Sequence, residues 1–186
     1  MDKKELRKVA KERLNNIDST TRKRISNQIV HQLISSDLWK QADTIGVTVS
    51  SGFEWDTEPI IEQGWQEGKT IVVPKCTPEN RQLDFYHLEN FDQLEESFYN
   101  LREPNPARTT KVNKQAINLL IVPGLLYDKR GYRIGFGGGY YVRFLTDFQN
   151  KTVSIFYSEQ LLDEVPSEPY DLPVQALLTE KGFVEK

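Results

Sequence analysis

The residues with the clearest capacity for chemistry form one glycine-rich stretch. It comprises Arg133, Ile134, Gly135, Phe136, Gly137, Gly138, Gly139, Tyr140 and Tyr141, and it follows an apolar run at residues 117–122. Closely spaced glycines let the backbone approach a ligand, and free amides before a helix favour phosphate. Arg133 adds a permanent cation. The stretch predicts a phosphate cradle, with a glycine-rich turn of purely structural role as the alternative.

Known phosphate motifs fit this stretch only in part. No Lys-Ser or Lys-Thr pair closes it, so it is not a P-loop, and Tyr140 stands where the dinucleotide fingerprint has its last glycine. Tyr140 and Tyr141 open the next predicted helix and could stack on a flat heterocycle. Packing of Tyr141 into the core is an equally good interpretation.

A second group of cations lies near the start of the chain, where residues 1–24 hold nine basic and four acidic side chains. Helical spacing places Lys3 and Arg7 toward the protein body, and Lys4, Lys8 and Lys11 away from it. Body-facing cations need an anion, although a solvated helix face remains the alternative. Nucleic-acid binding is disfavoured, because the isoelectric point is near 5.5 and no aromatic residues alternate with these cations.

Composition excludes several other classes of protein. Two histidines and one cysteine, Cys76, argue against a Ser-His-Asp or Cys-His enzyme, a zinc site and internal disulfides. The apolar runs are far shorter than the roughly 20 residues that a membrane helix needs, and the first residues do not resemble a secretion signal. We therefore expect a cytoplasmic protein without a membrane partner.

The positioning elements alternate between helices and strands. Periodicity predicts helices near residues 3–17, 18–34, 57–66 and 140–148, and strands at 44–49, 69–73, 83–87, 117–122, 152–157 and 174–179. Pro74 is expected to end the second strand. The pattern predicts one α/β domain over residues 1–186, with a largely parallel sheet covered on both faces and ligands at the carboxyl ends of its strands.

Motifs along nearly the whole chain resemble the 5-formyltetrahydrofolate cyclo-ligase family, also called methenyltetrahydrofolate synthetase. The glycine-rich stretch, with the preceding Pro123-Gly124 and Tyr127-Asp128, is the most specific of them. The others are Lys3 and Arg7 with Arg13-Leu14, Glu54-Trp55-Asp56-Thr57, Pro74-Lys75, Glu103-Pro104, Pro169-Tyr170-Asp171 and Leu178-Thr179-Glu180.

The resemblance implies a three-layer α/β/α fold and an enzyme that uses ATP and Mg²⁺. Such an enzyme converts 5-formyltetrahydrofolate to 5,10-methenyltetrahydrofolate with release of ADP and phosphate. In the family scheme the formyl oxygen attacks the terminal phosphoryl group, and a second folate nitrogen then closes the ring. The partners implied are a reduced folate and ATP, without nucleic acid, for a monomer or weak homodimer.

The resemblance also implies roles for individual residues. Arg133 and Tyr140 are the catalytic candidates, and Asp171 is the candidate metal ligand. The nucleotide would be bound by Lys3, Arg7, Arg133, Ile134, Gly135, Phe136, Gly137, Gly138, Gly139, Tyr140 and Tyr141. The folate would be bound by Val49, Glu54, Phe136, Gly137, Gly138, Gly139 and Tyr140, with Trp55 as a further candidate stacking surface or core residue.

One departure from the family pattern concerns the metal. The family usually continues Tyr-Tyr-Asp-Arg with a metal-linked Asp, but this chain has Val142 after Tyr141. Valine cannot bind Mg²⁺, so either phosphate oxygens, water and Asp171 hold the ion or turnover is reduced. A folate- or nucleotide-binding module with little or no turnover is therefore the alternative function. Tyr170, where many relatives have His, is a milder change.

Overall fold

A computed structural model describes residues 1–186, apart from the side chain of Tyr99. The helices are α1 (Lys3–Asn15), α2 (Ser19–Ile34), α3 (Asp37–Gln41), α4 (Glu58–Gln66) and α5 (Tyr140–Leu145). The first two begin where an aspartate can accept from an unpaired amide: Asp2 accepts from Glu5 N, and Asp18 accepts from Thr21 N, each at 2.8 Å. The predicted start of the second helix is confirmed.

Thirteen short strands are present in the described chain. They are β1 (Thr44–Gly46), β2 (Thr70–Thr77), β3 (Gln82–His87), β4 (Leu94–Glu96), β5 (Arg102–Pro104), β6 (Thr110–Val112), β7 (Leu119–Ile121), β8 (Leu126–Asp128), β9 (Arg133–Ile134), β10 (Lys151–Phe156), β11 (Leu161–Leu162), β12 (Ala176–Thr179) and β13 (Gly182–Phe183). Eight of them form the central sheet in the order β13-β12-β10-β7-β1-β2-β3-β6. The remaining five form a three-stranded sheet, β11-β8-β9, and the pair β4-β5.

The middle of the central sheet is parallel, and its edges are antiparallel. Strands β12, β10, β7, β1 and β2 run in the same direction, whereas β13, β3 and β6 are antiparallel to their neighbours. Strand residues such as Ile45, Ile71 and Leu120 are fully buried, because helices cover both faces. Helices α2, α3 and α4 pack on one face and α5 on the other. The predicted three-layer α/β/α architecture with a largely parallel sheet is confirmed.

The prediction that Pro74 ends β2 is wrong. The strand continues to Thr77, and Pro74 pairs with Phe85 of β3. The backbone N–H and C=O groups of successive strand residues point alternately to the strands on either side. Those of Val72 point toward β1, because Val72 O accepts from Val47 N. Pro74 faces that same side, beyond the last β1 pair at Gly46, so its missing N–H removes no ladder hydrogen bond.

The segment between β7 and the glycines is more ordered than the predicted loop. It folds into the hairpin β8-β9, in which Leu126 pairs with Ile134 and Tyr127 with Arg133. Helix α1 packs Ala10 and Leu14 against this hairpin. The hairpin therefore brings the N-terminal helix beside the glycine-rich stretch. No helix of the described chain has the length and apolar character needed to span a bilayer.

Candidate active site

A cavity of about 660 Å³ lies at the carboxyl ends of β1, β2 and β7, and we call it the central cavity. The sequence predicts ligands at the carboxyl ends of the strands, and the cavity lies at that edge of the sheet. Every site residue named from the sequence lines it: Lys3, Arg7, Val49, Glu54, Arg133, Ile134, Gly135, Phe136, Gly137, Gly138, Gly139, Tyr140, Tyr141 and Asp171. These residues come from four separate parts of the chain, so folding alone brings them together.

Helix α1 contributes cations to the central cavity. Lys3 Nζ lies 2.9 Å from Asp171 Oδ2, and Arg7 Nε donates to Gly135 O at 2.9 Å. The expectation that Lys11 points away is wrong, because Lys11 also lines the cavity. It lies one turn beyond Arg7 at spacing i+4, which keeps it on the same helix face.

Arg133 supplies a buried cation from β9. Its Nη1 donates to Pro123 O at 3.0 Å, and its Cζ lies 5.7 Å from the ring centre of Tyr141. Burial lowers the pKa of Arg133, although the guanidinium stays charged at neutral pH. Neither Arg7 nor Arg133 forms an ion pair with any residue that the structure describes. An anionic ligand would supply the missing negative charge.

The backbone from Gly135 to Gly139, here the glycine-rich segment, contributes amides. Gly137 has φ +95°, and a Cβ at this position would lie 3.3 Å from Arg7 Cζ, so only glycine suits both the conformation and the space. In the described part of the chain, the N–H groups of residues 136–139 have no protein acceptor. The segment can therefore donate several hydrogen bonds to an anion.

The loop after β1 positions Glu54. Its Oε1 accepts from Ser51 N at 3.1 Å and from Ser51 Oγ at 3.2 Å. Burial raises the pKa of Glu54, and the Ser51 hydrogen bonds oppose that rise only in part. Thr57 Oγ1 holds the far end of the loop by donating to Thr48 O at 2.6 Å. Glu54 thus presents a half-buried carboxylate on a loop fixed at both ends.

Apolar and aromatic residues form the rest of the lining. Val49 is buried and Phe136 is 43% exposed, with its ring centre 6.2 Å from that of Phe53. Tyr141 lines the cavity while its hydroxyl is buried without a hydrogen-bond partner in the described chain. Trp55, the further stacking candidate, is instead a core residue whose Nε1 donates to Gln160 Oε1 at 2.8 Å.

Sequence reasoning missed several lining residues. Glu103 of β5 is only 2% exposed, and its Oε2 accepts from Cys76 N at 2.7 Å. Lys75 Nζ lies 3.6 Å from Glu103 Oε1. Burial and the neighbouring Glu103 carboxylate raise the pKa of Cys76 to about 12, so its thiol stays protonated at neutral pH. The Glu103-Pro104 pair was one of the family motifs in the sequence, but the motif does not indicate that Glu103 lines the cavity.

Asp171 and Val142 decide how a metal could be held. Asp171 Oδ2 accepts from Lys3 and, at 2.7 Å, from Glu168 N. No group of three or more His, Cys, Asp or Glu side chains within the described chain is arranged to hold a metal ion. Val142 lines the central cavity with an apolar side chain. Of the two positions that the family pattern links to the metal, Asp171 and Val142, only Asp171 carries a carboxylate.

A model of the 5-formyltetrahydrofolate cyclo-ligase family matches residues 1–180. The chain belongs to the 5-formyltetrahydrofolate cyclo-ligase family. The family resemblance and the expectation of an enzyme, a ligase of folate metabolism, are confirmed.

Individual members of the cyclo-ligase family support the same assignment. The chain is 32% identical over 142 residues to the 5-formyltetrahydrofolate cyclo-ligase of Escherichia coli K12, covering 74% of this chain and 78% of that protein. It is 25% identical over 189 residues to the Mus musculus cyclo-ligase, covering 96% and 93%. The solved structure of Aquifex aeolicus 5,10-methenyltetrahydrofolate synthetase matches with a TM-score of 0.87 and 29% identity, over 100% of this chain and 93% of that one.

Proposed function

We propose that the protein uses ATP and Mg²⁺ to convert 5-formyltetrahydrofolate to 5,10-methenyltetrahydrofolate in the central cavity, releasing ADP and phosphate. The observation that carries this proposal is the convergence on one cavity of three cations, of which Arg7 and Arg133 have no ion-pair partner in the described chain, with free glycine amides and a separate carboxylate. The first two suit a triphosphate, and the third suits a reduced pterin. One cavity can therefore hold both reactants side by side.

The cations and amides support the nucleotide half of the proposal. Lys3, Arg7 and Arg133 would bind phosphate oxygens, because charge-assisted hydrogen bonds to phosphate are among the strong ones. The amides of the glycine-rich segment would donate to the same group of oxygens. Arg7 already donates to Gly135 O, so its position relative to this segment is fixed before any nucleotide arrives.

Glu54 supports the folate half. One of its oxygens is used by Ser51, and a carboxylate retains further acceptor capacity on the other. Neighbouring N–H groups on a pterin ring can donate to that carboxylate as a pair. Val49 and Phe136 would supply apolar surface to the flat ring, and the tyrosines of α5 would lie between the ring and the phosphates.

The proposed reaction needs no side-chain nucleophile. The formyl oxygen of the folate attacks the terminal phosphorus of ATP, and the bond from that phosphorus to ADP breaks. The second folate nitrogen then bonds the formyl carbon, loses its proton, and phosphate leaves with the formyl oxygen. Arg7 and Arg133 would stabilise charge on the transferred phosphoryl group, and Tyr140 would help to align it with the formyl oxygen.

The residues present fit a bound Mg²⁺ that takes most of its ligands from outside the protein. Asp171 would hold the ion, since Mg²⁺ accepts one or two carboxylates and completes its shell with phosphate oxygens and water. A bound ion would supply charge neutralisation at the phosphate oxygens. Lys3, which is paired to Asp171, orients this carboxylate.

The proposal is tested by incubating the purified protein with 5-formyltetrahydrofolate, ATP and Mg²⁺. We expect methenyl product, followed by its absorbance, and ADP in equal amounts, with neither formed when ATP or the divalent cation is omitted. An Arg7→Gln variant should lose most of the activity at low ATP, while Lys8→Gln, an exposed neighbour on α1, should keep it. Absence of product at micromolar enzyme would reject the proposal.

A binding module with lost turnover is the second candidate, and Val142 in the cavity lining is the observation that favours it. The two candidates differ in what Val142→Asp should do. If phosphate and Asp171 hold the ion, kcat should change by less than about threefold, because Mg²⁺ needs few protein ligands. A gain of tenfold or more, together with nucleotide binding but no ADP release by the unchanged protein, would favour the binding module.

A further inference from the structure

Arg81 makes a contact to the glycine-rich segment that neither the family motifs nor the proposed chemistry uses. It lies in the turn between β2 and β3, and its Nη1 donates to Gly138 O at 2.7 Å. Its backbone has φ +58°, and in the described backbone only Asn100 among the other non-glycine residues shares a positive φ. Left-handed backbone favours Gly, Asn or Asp, so local preference does not account for arginine here.

The position of Arg81 determines which way one peptide unit faces. Gly138 lines the central cavity, whereas Arg81 does not. Arg81 instead lines a neighbouring groove of about 630 Å³. The Gly138 carbonyl is therefore held toward the groove. In a trans peptide the C=O and the following N–H point in opposite directions, so the N–H of Gly139, a residue that lines the central cavity, points away from Arg81.

We propose that Arg81 is a positioning residue that holds the Gly138–Gly139 peptide with its N–H directed at a nucleotide phosphate. The inference rests on the proposed ATP site and adds a residue to it. Gly137 and Gly139 both have positive φ, at +95° and +76°, so this segment has unusual conformational freedom. A hydrogen bond from outside the cavity fixes one peptide before binding and reduces the ordering cost that the nucleotide must meet.

The test compares variants that remove the guanidinium but suit the backbone. Arg81→Gly and Arg81→Asn both tolerate positive φ, so neither should lower the melting temperature. Arg24→Ala, on the exposed side of α2, removes the same charge at a residue that lines neither cavity and serves as the control. Calorimetry with ADP and Mg²⁺ measures nucleotide affinity, and NMR of the nucleotide-free protein measures the resonance and hydrogen exchange of the Gly139 amide.

We expect both Arg81 variants to shift the Gly139 resonance, to speed its exchange about fivefold and to weaken ADP binding about fivefold, the weight of one hydrogen bond. The KM for the folate should stay within twofold, and Arg24→Ala should change nothing. An unchanged Gly139 amide would overturn the positioning role, even if ADP bound more weakly through lost charge attraction. If the unchanged protein binds no ADP, the proposed function fails instead, and the amide data still decide the orientation of the peptide.

Discussion

Two parts of the central cavity lining differ in how their charges are satisfied. We call Lys3, Arg7 and Arg133 the cation wall, and Glu54 with the loop that carries it the carboxylate wall. Arg7 and Arg133 donate to backbone carbonyls, and neither forms an ion pair within the described chain. Glu54 is half-satisfied by Ser51 and has a raised pKa. The cation wall thus favours anions, while the carboxylate wall favours neutral rings with N–H groups.

The largest expected effect comes from neutralising the carboxylate wall. Glu54→Gln replaces a carboxylate, which accepts hydrogen bonds with both oxygens, by an amide whose NH₂ group cannot accept from an N–H of the pterin ring. We expect kcat/KM for 5-formyltetrahydrofolate to fall about 100-fold, and the KM for ATP to stay within twofold. Steady-state kinetics with each substrate varied in turn measures both values. Glu62→Gln on the exposed side of α4 makes the same charge change and should leave both untouched.

The next effect comes from the cation wall. Arg7→Gln removes a charge-assisted contact to phosphate and should raise the KM for ATP about 30-fold, with a much smaller change in the KM for the folate. Lys8→Gln is the matched control on the same helix. Equal losses for both substrates in Arg7→Gln would show that the two walls do not act on separate ligands.

The pH dependence of kcat/KM should distinguish the carboxylate wall from the cation wall, because protonation of a single essential carboxylate changes the rate about tenfold per pH unit. The pKa of Glu54 is raised by burial, so its carboxylate takes up a proton at a higher pH than an ordinary glutamate. Below that pKa, kcat/KM for the folate should fall about tenfold per unit in the unchanged protein, because only the ionised form accepts from the ring. The Glu54→Gln profile should lack this limb, and a persisting limb would assign it to another group.

The ionised carboxylate of Glu54, which should support activity, should also slightly destabilise the folded protein. A carboxyl whose pKa is raised by folding binds its proton at a higher pH in the folded state than in the unfolded state. Its contribution to folding stability is therefore lost as pH rises from the ordinary glutamate pKa to the raised one. We expect Glu54→Gln to melt no lower than the unchanged protein at pH 7, with any advantage shrinking at acidic pH. A lower melting temperature at pH 7 would contradict this.

Strong local signals explain what could be predicted from the sequence. The cap at Asp18 and the apolar spacing of α1 are encoded within a few residues, and so is the conformational freedom of Gly137. The cation positions at Lys3 and Arg7 followed from helical geometry alone. Resemblance to a family was needed for Glu54 and Asp171, because a lone acidic residue in a loop has no periodicity to indicate its direction.

Contacts between distant segments explain what could not be predicted. Pro74 looks like a strand end until the early termination of its neighbour β1 is known. Lys11 was assigned to solvent from its angle to the apolar stripe of α1, and only the packing of α1 beside the cavity shows that the face it shares with Arg7 lines the site. Arg81 carries no motif, and its role depends on a carbonyl 57 positions away along the chain.

The ion pair between Lys3 and Asp171 joins residues separated by 168 positions. During synthesis, therefore, the N-terminal helix emerges long before its acidic partner exists. Strands β12 and β13 also follow Asp171 in the chain, so this corner of the cavity and one edge of the central sheet are both built from residues that come after the glycine-rich segment.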